Sequence, residues 1–134
     1  MSIGSWDPTA DAVSYHQQID PATLDRFINY SREDRLDNLE QLIAGDESQI
    51  LAGLMFIEHS AWLEAGENRP DEDLLHLIRF FAVAENLPGW EAGEKSPVIP
   101  LAKALRKRGA RLDKDLLRWL REVSDNRYLP YGPL

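Results

Sequence analysis

Two glutamates fall where a carboxylate is hardest to keep. Residues 46–65, DESQILAGLMFIEHSAWLEA, read as one long helix. At about 100° per residue, Ile50, Leu51, Leu54, Met55, Ile57, Ala61, Trp62 and Ala65 form a continuous apolar arc on it. Glu58 projects from the middle of that arc. Glu85 does the same on the following apolar segment, on the face of Leu74, Ile78 and Phe81. A carboxylate in such a place must be paired, protonated or at the end of a cleft. Two of them on adjacent helices could share a proton, one as general acid and the other as base, or hold a cation. The commoner role is an ion pair with an arginine such as Arg79 or Arg106, or a place at the rim of the helix.

Metal chemistry has thinner support. Asp73 and His76 stand three apart and Glu72 and His76 four apart, so each pair shares a helix face. Di-iron bundles use such acid–histidine spacing on two helices, whereas here it occurs once. His59 follows Glu58 directly and points about 100° away from it, so the two cannot chelate one ion through that helix alone. His16 lies in an N-terminal stretch of uncertain pattern. There is no cysteine and no Gly-x-Ser-x-Gly elbow, which leaves nucleophilic catalysis without a visible group. No metal and no cofactor is expected.

Charge points towards partners. The net charge is −8, with −13 on residues 1–96 and +5 on residues 97–134. Lys103, Arg106, Lys107, Arg108, Arg111 and Lys114 form the basic cluster, most of them facing outward while Leu101 and Leu105 face in. It offers a possible binding surface for phosphate. Without interleaved aromatics, and on an acidic chain, a solvated helix face is the simpler reading and nucleic acid an unfavoured partner. Asp34, Asp37, Glu40, Glu64, Glu67, Asp71, Glu72 and Asp73 instead suit a basic protein.

The elements that would position these groups are all helical. Asp20-Pro21 is an N-cap followed by proline at the first helical position, opening a helix to about Tyr30. Ser31 to Asp34 has the capping-box form and starts a second helix, carrying Leu36, Leu39, Leu42 and Ile43 to a stop at Gly45. Asp46 caps the helix of residues 46–65, whose Phe56 and Leu63 lie opposite the arc and make it the central, doubly apolar element. Asp71, Glu72 and Asp73 open the next helix, where the dipole favours negative charge. The polar run from Trp90 to Ser96 reads as a surface loop. Pro97 and Pro100 begin a helix over 98–108 that ends at Gly109, and Asp113 caps the last one. No period-2 run or hairpin turn competes.

The expectation is an all-α single domain, a bundle of five or six helices in orthogonal or solenoid-like packing. Residues 1–19 form an N-terminal arm or short helix and residues 20–134 the domain. The aromatic and proline-rich tail from Arg127 packs as an extended strap. No secretory pattern and no apolar run long enough to span a bilayer is visible, so a cytoplasmic protein is expected. Its function reads as a non-catalytic interaction or structural module, an inhibitor or immunity-type partner of a basic protein being one form of it. Catalysis or metal binding through Glu58 and Glu85, and weak nucleic-acid contact through the basic helix, are the alternatives.

Overall fold

The computed structural model describes residues 19–110 and 112–129. They form seven α-helices: α1 (Pro21–Arg32), α2 (Leu39–Leu42), α3 (Gly45–Ala52), α4 (His59–Gly66), α5 (Asp71–Ala84), α6 (Val98–Lys107) and α7 (Lys114–Val123). Three 3₁₀ turns, Leu36–Asn38, Gly53–Phe56 and Gly93–Lys95, interrupt the chain between them. No strand occurs among the described residues. Residues 1–18 of the expected arm lie outside them, as do Arg111 and residues 130–134.

The organising element is α5, not the segment of residues 46–65. Leu74, Leu77, Ile78, Phe80, Phe81, Ala82 and Ala84 of α5 are all buried. A helix apolar on this many sides must be surrounded, and α5 packs against α1, α6, α7 and the turn Leu36–Asn38. Its two phenylalanines centre the core. Phe80 stacks on Phe27 of α1 with ring centroids 4.0 Å apart. Phe81 takes the Trp62 ring edge-on at 5.1 Å. Trp90 closes the cluster against Phe80 at 6.3 Å.

The long helix expected over residues 46–65 is two helices. After α3 the backbone tightens into the turn Gly53–Phe56, and Ile57 and Glu58 are extended, with ψ of 141° and 147°. Glycine in mid-helix weakens the ladder by about 1 kcal/mol relative to alanine, and here it opens the turn. The break lets α4 leave the line of α3 and pack on α6. It also moves the arc: Leu54, Met55 and Trp62 are buried, whereas Ile50 and Phe56 are 65% and 63% exposed. The division also raises the helix count above the expected five or six. Asp46 is not the cap: Ala44 is, and Asp46 and Glu47 lie in the first turn.

The capping box expected at Ser31 does not start a helix either. Helix α1 runs through Ser31 and Arg32 and ends at Asp34, whose φ is +57°. The Asp34 amide bonds to Ser31 O and the Arg35 amide to Tyr30 O, the paired bonds of a Schellman ending. At the end of α6, Gly109 with φ +82° makes the same ending, its amide on Arg106 O and that of Ala110 on Leu105 O. Two caps form as expected: Asp20 accepts from the Ala22 amide at 3.2 Å and Asp113 from the Leu116 amide at 2.7 Å.

Candidate functional site: the Glu85 cleft and the acidic face

The two inward glutamates part company. Glu58 is exposed at the N-cap of α4 and makes no side-chain capping bond. The expectation that it points into the core is therefore corrected, and the cause is the break before α4. Glu85 behaves as expected: it caps the C-terminus of α5 and is 6% exposed. Neither Arg79 nor Arg106 pairs with it. Arg79 lies over the Trp119 ring at 5.1 Å, and Arg106 is exposed.

Neutral donors hold Glu85. The Ser96 hydroxyl donates a short hydrogen bond to Oε2, and Asn126 Nδ2 donates to Oε1 at 3.0 Å. Asn126 Nδ2 also donates to Gly93 O at 2.9 Å, and Ser96 Oγ accepts from the Val98 amide at 3.2 Å. One carboxylate thus ties α5 to the segment before α6 and to the segment after α7. The run from Trp90 to Ser96 is accordingly no loose surface loop. Trp90 and Ser96 are fully buried at its ends, with Trp90 Nε1 donating to Ser48 Oγ at 3.0 Å.

Above Glu85 opens a cleft of about 480 Å³, with Glu91, Asp125, Asn126, Arg127 and Tyr128 in its walls. Arg127 lies over its neighbour Tyr128 at 5.3 Å. Burial raises the Glu85 carboxyl above the usual glutamate range, against the opposing hydrogen bonds from Ser96 and Asn126. The sign of the pH effect follows. Between the ordinary value of about 4.3 and the raised one, the folded chain holds a proton that the unfolded chain has lost, so stability falls as pH rises through that window. Comparing Glu85→Gln with the parent by urea unfolding from pH 4 to pH 8 isolates this group. The expected result is a variant that gains on the parent as pH rises and then levels off. A variant that loses ground with rising pH would mean that the site favours the charged form.

Without Glu58, no second buried carboxylate stands beside Glu85 among the described residues. Glu91 and Asp125 are exposed. The acid–base pair read from the sequence is not assembled.

Two of the three metal candidates are engaged elsewhere. Asp73 pairs with Arg32 and Arg69, each at 3.3 Å. His76 Nδ1 is hydrogen-bonded to Ser31 Oγ at 2.8 Å, and burial, then Arg32, lowers its pKa below the usual imidazole range. His59 is half-buried, with Nε2 making no hydrogen bond among the described residues. No group of three or more His, Asp or Glu side chains arranged to hold a metal ion occurs among the described residues. The Ser31–His76 pair escaped sequence reading because the partners are 45 residues apart. It joins α1 to α5. The amides of Glu33, Asp34 and Arg35 beside it are bonded to carbonyls within the helix end, so they do not supply the donors that acyl transfer needs.

The basic cluster divides. Lys103, Arg106, Lys107 and Lys114 are exposed. Arg108 turns back onto the protein and donates to Gly66 O at 2.7 Å, Glu67 O at 3.2 Å and Arg69 O at 2.6 Å, with Asp71 at 3.0 Å. It adds side-chain donors to carbonyls at and just beyond the end of α4. On the acidic side, Asp34, Asp37, Glu40, Glu64 and Glu67 are exposed, and Asp71 and Glu72 are exposed but paired with Arg108 and Arg32. No helix among the described residues is long and apolar enough to cross a membrane. Compared with protein-family models, curated proteins and solved structures, the chain matches none of them.

Proposed function

We propose that this protein is a non-catalytic binding module for a basic protein, of the kind that masks or inhibits its partner. One observation carries the reading. Between Leu36 and Asn68 the chain has seven carboxylates and no lysine or arginine. All seven, Asp37, Glu40, Asp46, Glu47, Glu58, Glu64 and Glu67, are exposed. Among the described residues, Glu47 alone of them forms an ion pair, with Arg26 at 2.7 Å. By contrast, Asp25, Asp71, Glu72 and Asp73 each meet an arginine. A run of exposed charges of one sign along the chain favours an oppositely charged partner and disfavours nucleic acid.

The test compares the full chain with a variant carrying Asp37→Asn, Glu40→Gln, Glu58→Gln and Glu64→Gln, used as bait in an extract of the native cell treated with nuclease. The expected result is a stoichiometric partner of basic composition that elutes with salt and that the variant fails to hold. A partner retained equally by the variant, or one lost on nuclease treatment, would overturn the reading.

A further inference from the structure

Some of these carboxylates stand beside exposed apolar side chains. Ile50, Gly53 and Phe56 follow one another at intervals of three residues, from the last turn of α3 into the turn Gly53–Phe56. A three-residue step turns an α-helix by about 300° and returns a 3₁₀ turn to the same line. The three positions therefore share one side of the element. Ile50 is 65% exposed and Phe56 63%, and Tyr128 is the one other large hydrophobic side chain exposed among the described residues. Gly53 between them has no side chain, so Ile50 and Phe56 stand apart on that side; the stretch they bound is termed the saddle. Asp46, Glu47, Gln49 and Glu58 flank them, all exposed.

We infer that this saddle is the anchor point for the partner, and that its occupant is an amphipathic segment with apolar side chains bordered by lysine or arginine. The inference rests on the basic-partner reading and adds the place and the shape of the contact. The charge distribution selects the occupant. A second copy of this chain would bring the same carboxylates against the same carboxylates around the saddle, and like-charge juxtaposition opposes that pairing. A purely hydrophilic basic segment would leave Ile50 and Phe56 in water, where they stand now. A segment with both features covers the apolar pair and places its cations by Asp46 and Glu58, Glu47 being held by Arg26. Affinity then comes from the desolvated centre and orientation from the charged rim.

The probes are three synthetic peptides: an amphipathic helix of lysine and leucine, its lysine–serine analogue of equal charge, and its glutamate–leucine analogue. Each is titrated into the isotope-labelled full chain while backbone amide shifts are followed. The lysine–leucine peptide should move the amides of residues 46–58, and both analogues should bind more weakly by at least about tenfold, a difference of roughly 1.4 kcal/mol. Ile50→Ser combined with Phe56→Ser should weaken the lysine–leucine peptide to a similar extent with the thermal midpoint unchanged, both residues being exposed.

The failures separate. If the lysine–leucine peptide binds but shifts the amides around Glu85 and Asn126 instead, the saddle is rejected and the basic-partner reading stands. If the glutamate–leucine peptide binds as well as the lysine–leucine one, the charge argument is rejected and with it the basic partner. If no peptide binds, both fall. Contacts between Phe56 and residues 1–18 in the free protein would make the chain's own N-terminal segment the occupant and overturn the inference.

Discussion

Trp62→Ala should lower the stability of the fold by about 3–5 kcal/mol, the range for truncating a large buried aromatic. Trp62 is fully buried, and its ring meets the edge-on Phe81 ring at the centre of the aromatic cluster. Through Phe81 and Phe80 it is linked to Phe27 on α1 and to Trp90 beyond α5. Truncation would leave a cavity bounded by helices that hold one another in place, so the surroundings cannot collapse freely to fill it. A substitution of this size approaches the whole stability of many domains, which is typically about 5–15 kcal/mol. Trp62→Phe should recover part of the loss by keeping an aromatic face against Phe81. Urea unfolding followed by far-ultraviolet circular dichroism measures both variants. A loss below about 1 kcal/mol for Trp62→Ala would mean that the tryptophan is not part of the core.

That Trp62 belongs inside was legible from the sequence, and the path that puts it there was not. Periodicity places Leu54, Met55 and Trp62 on one face whether the backbone runs straight or breaks, since all three are apolar in either case. It cannot register a break, because the evidence for one is a single glycine at position 53 and two residues that helices tolerate, Ile57 and Glu58. The consequence falls on the chemistry. A straight helix sends Glu58 inward, and the break sends it to solvent. Glu85 suffered no such displacement because α5 is regular from its acidic first turn to its end, so its face could be read from spacing alone.

Helix endings show the same division. Gly109 announces a left-handed residue because glycine adopts positive φ without steric cost. Asp34 makes the same ending without the announcement. Its aspartate, placed after Ser31, imitates the opening of a new helix. Contacts between distant segments left no local trace at all. Ser31 with His76, Ser96 and Asn126 with Glu85, and Arg108 with the α4 carbonyls each join residues too far apart for periodicity to relate them.

Leu129→Ala, in the segment after α7, should cost about 2–4 kcal/mol, in the range for a buried leucine. The helix ends at Val123, and a strap of residues with little regular structure follows it. Leu129 is 5% exposed and belongs to the core, while Tyr128 beside it is 48% exposed. The strap is held from both directions. Asn126 fastens it to Glu85 and Gly93, and Asn126 Oδ1 accepts from the Tyr128 amide at 3.0 Å, fixing the turn that delivers Leu129 inward. For a domain of this size about 1 kcal/mol corresponds to roughly 3–5 °C, so the thermal midpoint of Leu129→Ala should drop by on the order of 10 °C. Removing residues 127–134 should lower it at least as far, since the truncation deletes the same leucine. Tyr128→Ala serves as the control and should move the midpoint little, its ring being half in water. Equal effects at the two positions would mean that the strap does not sort its side chains as the structure describes. An unchanged midpoint for Leu129→Ala would mean that the strap contributes nothing to the fold, and that its aromatic and apolar residues are held for a partner instead.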